Sequence, residues 1–408
     1  MVAVAVSGGP DSLALAVLAD GWARARGGRV FALVVDHGVR KAAAIEARIA
    51  ASWLEARGIE ARLITLAGIG ARAEALRRAR LDALADAAAG EGALHLLLAH
   101  HALDQAETVL LRLSRGSGRS GLAAMAPARA LGPVRLLRPL LAEPPGALRA
   151  FLRGLGQPWI EDPSNTGPAT RARLRAALRD GDGEGVATRA ALAIGSAAAR
   201  RRTKAERALA EALAEAVTVS PLGFASLDGA RFASWNAALR REAIAALLRC
   251  IGGHQHPVRG ERIAALLSRM AQGVGGTAAG CIVAKRGEAW LIAREPAAVA
   301  HPVRVVGPCP IRWDGRWRVI AAPGDTIAAL GAAGAATICR STAAGRGIPH
   351  LALATLPAIS RHGVLVAVPP ILYDGGVGHP VPEARFRPPV PLIEPWAEGA
   401  GQGPLDGR

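Results

Sequence analysis

Two acidic side chains three residues apart, Asp104 and Glu107, lie in the segment HHALDQAETVLLRLSRGSG at 100–118. On a helix that spacing puts both carboxylates on one face. Such a pair can grip an ammonium ion, bind magnesium, or sit in solvent near a helix N-terminus, where acids are favoured in any case. A second stretch offers a complementary chemistry. Residues 2–12, VAVAVSGGPDS, start with valine alternating with alanine, which suits a short buried strand; Gly8 and Gly9 then free the backbone for a tight turn. Ser12 opens an Ala/Leu segment with helical patterning up to Arg26. Strand, glycine turn and helix start aim unpaired N–H groups and the positive end of a helix dipole at one spot, and such a spot binds phosphate. The loop has no lysine, so it is not the GxxxxGK[ST] loop of the common NTPases. Hydroxyls at Ser7 and Ser12 and the carboxylate of Asp11 take the place of that lysine, and Asp11 could hold magnesium on the phosphates. The same residues also suit a plain strand–helix turn, with Pro10 in the first helical turn and Asp11 or Ser12 as a cap.

The elements that must position these groups follow from periodicity. Val30 to Asp36, VFALVVD, forms a second strand; helical patterning covers 42–57, and 60–66 forms a third strand. A long helix over 72–89 precedes a fourth strand, LHLLLA at 94–99, that stops at His100 and His101; the helix carrying the acidic pair spans 104–115. Alternating strands and helices predict an α/β fold with a parallel, doubly wound sheet. Ser7, Asp36 and His100 each fall just beyond the C-terminal end of a strand, the edge where open α/β sheets bind ligands. Three separated segments therefore converge on one crevice. Further along come a glycine loop after Arg115, a short helix after Pro144 and Pro145, and a loop-like PWIEDPSN at 158–165. A basic helix over 170–179 follows, with Arg171, Arg173, Arg175 and Arg179. DGDGEG at 180–185 has linker composition. Long Ala/Leu/Arg periodicity from Val186 to about Met270 predicts an almost entirely helical region, and CIVAKRGEAWLIARE at 281–295 predicts two strands joined at Arg286 and Gly287. The expected organisation is a catalytic domain over 1–182, a helical domain over 186–272, and a small β-containing domain with a proline-rich tail over 281–408.

A chain of 408 residues exceeds one ordinary core. With 51% hydrophobic but only 3% aromatic residues, its interiors must be built mostly of Ala, Leu and Val. The net charge of +17 suits a polyanionic partner such as nucleic acid, although an arginine-rich chain with only Lys41, Lys204 and Lys285 can also reflect compositional bias. Cys250, Cys281, Cys309 and Cys339 contain no CxxC spacing, which argues against a zinc ribbon, an iron–sulfur site or a redox pair and for buried free thiols in a reducing cytosol. No apolar run reaches the roughly 18–20 residues that span a bilayer, and no basic segment precedes the N-terminal apolar one as in a signal peptide. A soluble, cytoplasmic protein without a membrane partner is expected.

SGGPDS at 7–12 resembles the SGGxDS pyrophosphate loop of the N-type (PP-loop) ATP pyrophosphatases, which split ATP into AMP and pyrophosphate to adenylate an oxygen. In order with it stand VDHGVR (35–40), EALRRARLDAL (74–84), HHALDQAET (100–108), RGSGRSGLAAM (115–125), RPLL (138–141) and EDPSNTGPATRARLR (161–175). Together these blocks closely resemble the tRNA(Ile)-lysidine synthetase family over most of residues 1–180. GCIVAKRGEAWLIARE and LPAISRHGVLVAVPPILY are similar to its C-terminal half, more loosely.

The resemblance implies a ligase that uses ATP and Mg2+. It would adenylate the carbonyl oxygen at carbon 2 of the wobble cytidine in tRNA(Ile) with the CAU anticodon. The side-chain amine of free L-lysine would then displace AMP, giving lysidine and changing codon reading and aminoacylation identity. By position in the matched blocks, Ser7, Gly8, Gly9, Pro10, Asp11, Ser12, His100 and His101 fall to the nucleotide, with Asp11 on the metal. Asp36, Asp104 and Glu107 fall around the lysine and the reacting centre; Arg171 and Arg173, with Arg175, belong to a basic segment suited to phosphate or tRNA backbone. Carboxylates suit an incoming ammonium, which must lose a proton before it attacks. His100 and His101 could equally be hydrogen-bonded residues that end a strand, and Arg77 and Arg80 a solvated face rather than nucleotide or tRNA contacts.

The chain departs from the family pattern at Leu103, where a second Asp is usual, at Leu81 (usually Tyr), Thr170 (usually Phe) and Ala172 (usually Asn). The first strand begins at residue 2 whereas relatives often carry a leader, which leaves open a start further upstream. Among alternatives, a tRNA thiolase wants catalytic cysteines in the first domain, and residues 1–249 contain none. An NAD or GMP synthetase of the same superfamily would not need the basic helical appendage. A tRNA-binding protein with a decayed ATPase site is opposed by the intact SGGPDS. The regions beyond residue 186 are expected to bind the tRNA acceptor arm or stem, and a homodimer remains open.

Overall fold

Val2–Val6 (β1) alternates small and branched side chains because it is covered on both faces. A computed structural model describes residues 1–36, 41–65, 73–117, 121–161, 170–307, 310–341, 345, 347–375 and 382–393. The chain divides into two compact units at 206/207, within one long helix.

In the first unit β1 is followed by Pro10–Arg24 (α1), Val30–Asp36 (β2), Lys41–Glu55 (α2), Glu60–Thr65 (β3), Ala73–Gly90 (α3), His95–Leu97 (β4) and Ala102–Ser114 (α4). Then come Ala128–Leu131 (β5), Val134–Leu137 (β6), Pro145–Gly154 (α5), Thr170–Leu178 (α6) and Val186–Ala216 (α7). The sheet order is β3-β2-β1-β4-β6-β5, parallel except for β5, which runs antiparallel to β6. This bears out the expected doubly wound α/β sheet. On one face Val4 and Val6 pack with Leu13 and Leu15 of α1, Ala50 and Leu54 of α2, and Leu148 and Leu152 of α5. On the other, Ala3, Phe31 and Leu33 meet Leu84, Ala85 and Ala88 of α3. The β5–β6 hairpin, with Gly132 at φ +56°, is too short for periodicity to mark it.

The second unit departs from the helical reading of 186–272. Val217–Ser220 (β7) and Phe224–Asp228 (β8) form a hairpin whose turn needs Gly223 at φ +77°. Gly229–Ser234 (α8), Ala237–Gly252 (α9) and Gly260–Ala271 (α10) follow, then Gly276–Ala278 (β9), Cys281–Arg286 (β10) and Ala289–Arg294 (β11). These strands share one sheet in the order β7-β8-β11-β10-β9, so strands on both sides of the linker-like 272–280 stretch belong together. The two hairpin strands are brief, and the surrounding Ala-rich helical periodicity hides them. Ile244, Leu247 and Leu248 of α9 and Ile263, Leu266 and Met270 of α10 bury against Val283, Trp290 and Ile292 of this sheet.

The β-containing remainder comprises Val303–Arg304 (β12), Ile311–Trp313 (β13), Trp317–Ile320 (β14), Thr326–Ala329 (β15), Gly331–Ser341 (α11) and His350–Ala354 (α12). Pro357–Arg361 (β16), Val364–Val368 (β17), Tyr373–Asp374 (β18) and Glu383–Phe386 (β19) complete it. Its two antiparallel sheets run β12-β15-β16-β17-β18 and β13-β14-β19. Asp314, with 1% of its side chain exposed, ties these strands to the neighbouring sheet. It accepts from Arg316 Nε at 2.7 Å, from Arg294 Nη2 at 2.8 Å and from the Ala300 N–H at 2.9 Å. Residues 394–408, at the end of the expected proline-rich tail, and Cys309 lie outside the described residues. Among the described residues no helix is long and apolar enough to cross a membrane.

Candidate active site at the C-terminal edge of the parallel sheet

The order β3-β2-β1-β4 makes β1 and β4 neighbours although two strands separate them in the chain. That is the switch point of an open α/β sheet, where a crevice opens beyond the strand ends. The SGGPDS turn leaves β1, and His100 and His101 lead from β4 into α4. The two anchors met in the sequence are thus brought side by side.

Within the turn, the serines divide their work. Ser12 is buried; its Oγ accepts the Ser7 N–H at 3.1 Å and donates to the Gly9 carbonyl at 2.9 Å. Ser7 itself is exposed beyond the strand end. Gly8 has φ +83°, and its carbonyl accepts the Ile160 N–H at 2.9 Å. A Cβ there would stand 2.8 Å from Ile160 Cδ1. Gly9 is the extended N-cap residue of α1, no side chain caps that helix, and Pro10 at its start has no N–H to satisfy. The first-turn amides are thus left for an anion, as a phosphate site requires.

Asp11 connects this loop to the acidic pair. His101 Nε2 lies 3.5 Å from Asp11 Oδ2 and 3.5 Å from Asp104 Oδ2. The His101 N–H donates to Asp104 Oδ2 at 3.1 Å, fixing the carboxylate in the first turn of α4. Arg175, from α6, donates through Nη2 to Asp104 Oδ1 at 3.1 Å and through Nε to Glu107 Oε1. Glu107 has no exposed side-chain surface. The line Asp11–His101–Asp104–Arg175–Glu107 is therefore continuous. Burial disfavours the His101 imidazolium, yet the hydrogen bond to Asp11 and the charges of Asp104 and Asp11 outweigh that and the opposing charge of Arg175, so its pKa is raised. Arg175 likewise loses hydration, but its bond to Glu107 and the nearby carboxylates hold its proton more firmly still.

The other expected site residues are placed as follows. Asp36 ends β2 in register with Thr65, two residues past the Val34–Val6 pair, so its backbone reaches the same sheet edge; its side chain lies outside the described residues. The side chain of Arg171 also lies outside them. Arg173 is exposed and makes no ion pair with the described residues. His100 is half-buried between β4 and α4. Leu103, where an Asp is usual in the resembled pattern, is buried. Arg175 is the arginine of α6 that reaches the acids, a choice among four arginines that spacing could not make. Sequence reasoning also missed the support of the loop after α4. The Gln105 side-chain amide clamps the Met125 backbone, Nε2 donating to its carbonyl at 3.0 Å and Oε1 accepting its N–H at 2.8 Å, and Arg112 and Arg202 donate to the Ala124 carbonyl at 3.0 and 3.3 Å.

The Oδ1 atom of Asp11 is buried and has no hydrogen-bond partner among the described residues. A carboxylate oxygen left open beside a helix N-terminus fits magnesium, which takes one or two protein carboxylates and fills its remaining positions with phosphates and water.

Fold, turn and strand-end crevice together define a PP-loop nucleotide-binding protein, and the PP-loop domain family matches residues 1–180. The chain is 35% identical over 381 residues to the tRNA(Ile)-lysidine synthase of Ruegeria pomeroyi, covering 90% of this chain and 87% of that one. It is 47% identical over 185 residues to that of Hyphomonas neptunium, covering 43% of this chain and 50% of that one. With that of a Bradyrhizobium sp. it shares 39% identity over 287 residues, 66% of this chain and 79% of the other. The chain belongs to the tRNA(Ile)-lysidine synthase family.

Proposed function

We propose that the protein joins free L-lysine to carbon 2 of the wobble cytidine of tRNA(Ile) with the CAU anticodon, using ATP and Mg2+. The observation that carries this reading is the unbroken line from the phosphate turn through Asp11 and His101 to the paired acids Asp104 and Glu107. In the first step the cytidine carbonyl oxygen attacks the α-phosphorus of ATP and pyrophosphate departs. The first-turn amides of α1 and the Ser7 hydroxyl would cradle the phosphates. Magnesium, held by Asp11, would offset the charge of the leaving pyrophosphate. In the second step the lysine side-chain nitrogen bonds to carbon 2, AMP leaves with its oxygen, and the nitrogen loses its protons. Asp104 and Glu107 would hold the incoming ammonium, with Asp36 on the same sheet edge. His101 would orient Asp104 and Asp11 between the two half-sites. Arg171 and Arg173 would meet phosphate of the nucleotide or tRNA, and the regions beyond residue 186 would supply further basic surface for tRNA.

A thiolase reading is disfavoured by where the thiols lie. Cys250 and Cys281 are buried in the second unit, and burial pushes each up to about 12, far from a reactive thiolate; Cys339 is exposed, contrary to the expected burial, but it too belongs to the second unit, on α11. The decisive assay is incubation with ATP, radiolabelled lysine and a tRNA(Ile) transcript. Lysine should enter the tRNA only when ATP and the CAU anticodon are both present. Lysine incorporated without that anticodon, or absent from the tRNA altogether, would refute the proposal.

A further inference from the structure

The seat for an ammonium group is already taken. Arg175 donates to both acids at once, and with it in place Glu107 presents no surface to solvent. Its own side chain is 32% exposed, so the cation closes the pair on the solvent side. A substrate amine cannot reach Glu107 while the guanidinium is bound there. We infer that Arg175 is a resident competitor for the amine seat: its guanidinium holds the Asp104–Glu107 pair in the unliganded enzyme, and lysine binds by exchanging one positive charge for another. This rests on the reading that the acidic pair receives lysine.

The exchange is favourable in form because it never leaves the two carboxylates uncompensated, which buried like charges on adjacent helical turns would not tolerate. It also gives the site a threshold. A planar guanidinium satisfies both acids through several donors, whereas an amino acid with an apolar or neutral side chain brings only its α-ammonium, which carries its own carboxylate beside it against the two acids. Only a ligand with a cation remote from its own carboxylate can complete the swap, so Arg175 selects lysine over amino acids with uncharged side chains. Arg175 arrives on α6, a nine-residue helix that it ties to α4 through this pair. Displacement of the guanidinium should therefore loosen that helix.

The test is equilibrium dialysis of radiolabelled lysine against the full-length protein, without tRNA. If the open form is about a tenth of the population, the apparent affinity is about tenfold below the intrinsic one. R175Q should then bind lysine about tenfold more tightly than the parent, and R175K should fall between them. Equal or weaker binding by R175Q would overturn the inference and make Arg175 a builder of the lysine site. E107Q separates the underlying reading: it should abolish lysine binding in both backgrounds, and unchanged binding by E107Q would sink the acidic seat itself. Should R175Q fail to fold, hydrogen exchange on the parent protein decides. Saturating lysine should speed exchange of the α6 amides at 173–178, and unchanged or slower exchange there would overturn the inference.

Discussion

Replacement of each glycine in the phosphate turn by alanine separates folding from binding. At Gly8 the backbone has φ +83°, which costs an L-residue about 1–2 kcal/mol. The added methyl would also meet Ile160 Cδ1 at 2.8 Å and Ala50 Cβ at 3.3 Å, an overpacking of about 1–3 kcal/mol even with Ile160 shifting. Gly8→Ala should therefore destabilise by about 2–5 kcal/mol, the sum of those two ranges. At Gly9 the backbone is extended with φ −73°, and a Cβ would meet Ser7 Oγ at an ordinary 3.6 Å. Gly9→Ala should cost no more than about 1 kcal/mol, because the N-cap preference for Gly over Ala is offset in part by the stiffer unfolded chain. A phosphate approaching the same backbone would nevertheless touch the new methyl, so ATP binding should weaken by about tenfold, or 1.4 kcal/mol. Urea denaturation followed by tryptophan fluorescence measures the first quantity, and calorimetric titration with ATP the second. A Gly9→Ala protein with parental stability and parental ATP affinity would refute the phosphate assignment. A Gly8→Ala protein as stable as the parent would refute the packing argument.

The raised pKa of His101 has a signed consequence. Because the folded state holds the proton above the usual 6.5, its stabilisation is complete below that value and is lost as pH rises through the higher folded pKa. His101→Gln should then cost more stability at pH 6 than at pH 8.5, and Asp11→Asn should lower the His101 titration midpoint seen by NMR; equal costs at both pH values would refute the pairing. In the second unit, Asp314→Ala would strand Arg294 and Arg316, whose side chains are 9% and 0% exposed. A loss of about 3–5 kcal/mol is expected in urea denaturation, and less than about 1 would show that these cations find other compensation.

The parallel sheet was legible because β1 and β2 are uninterrupted apolar runs that end in turn or polar residues, the pattern a doubly covered strand must have. The β10–β11 hairpin was legible for a different reason: two alternating runs flank Gly287, which takes φ +57°. The β7–β8 hairpin escaped because its strands are brief and make sense only when paired with β11. At the site, the phosphate turn and the acid pair are local patterns and announce themselves. Arg175 is not local: its partners lie 68 and 71 residues earlier, and periodicity cannot rank it above Arg171 or Arg173. Asp314 is a mixed case: Arg316 stands two residues on, but Arg294 and the Ala300 N–H lie 20 and 14 residues earlier.

The strand order of the two sheets sets a timetable for synthesis. Every strand of the nucleotide-binding sheet has left the ribosome once Leu137 has emerged, so that layer can assemble early from the nascent chain. β8 must wait for β11, which follows three helices and two strands, before its inner edge is paired. During that interval the β7–β8 ribbon exposes an unpaired edge, the kind of surface that invites wrong partners. Slow translation between 229 and 289 would lengthen that exposure without touching the half of the chain that carries the chemistry.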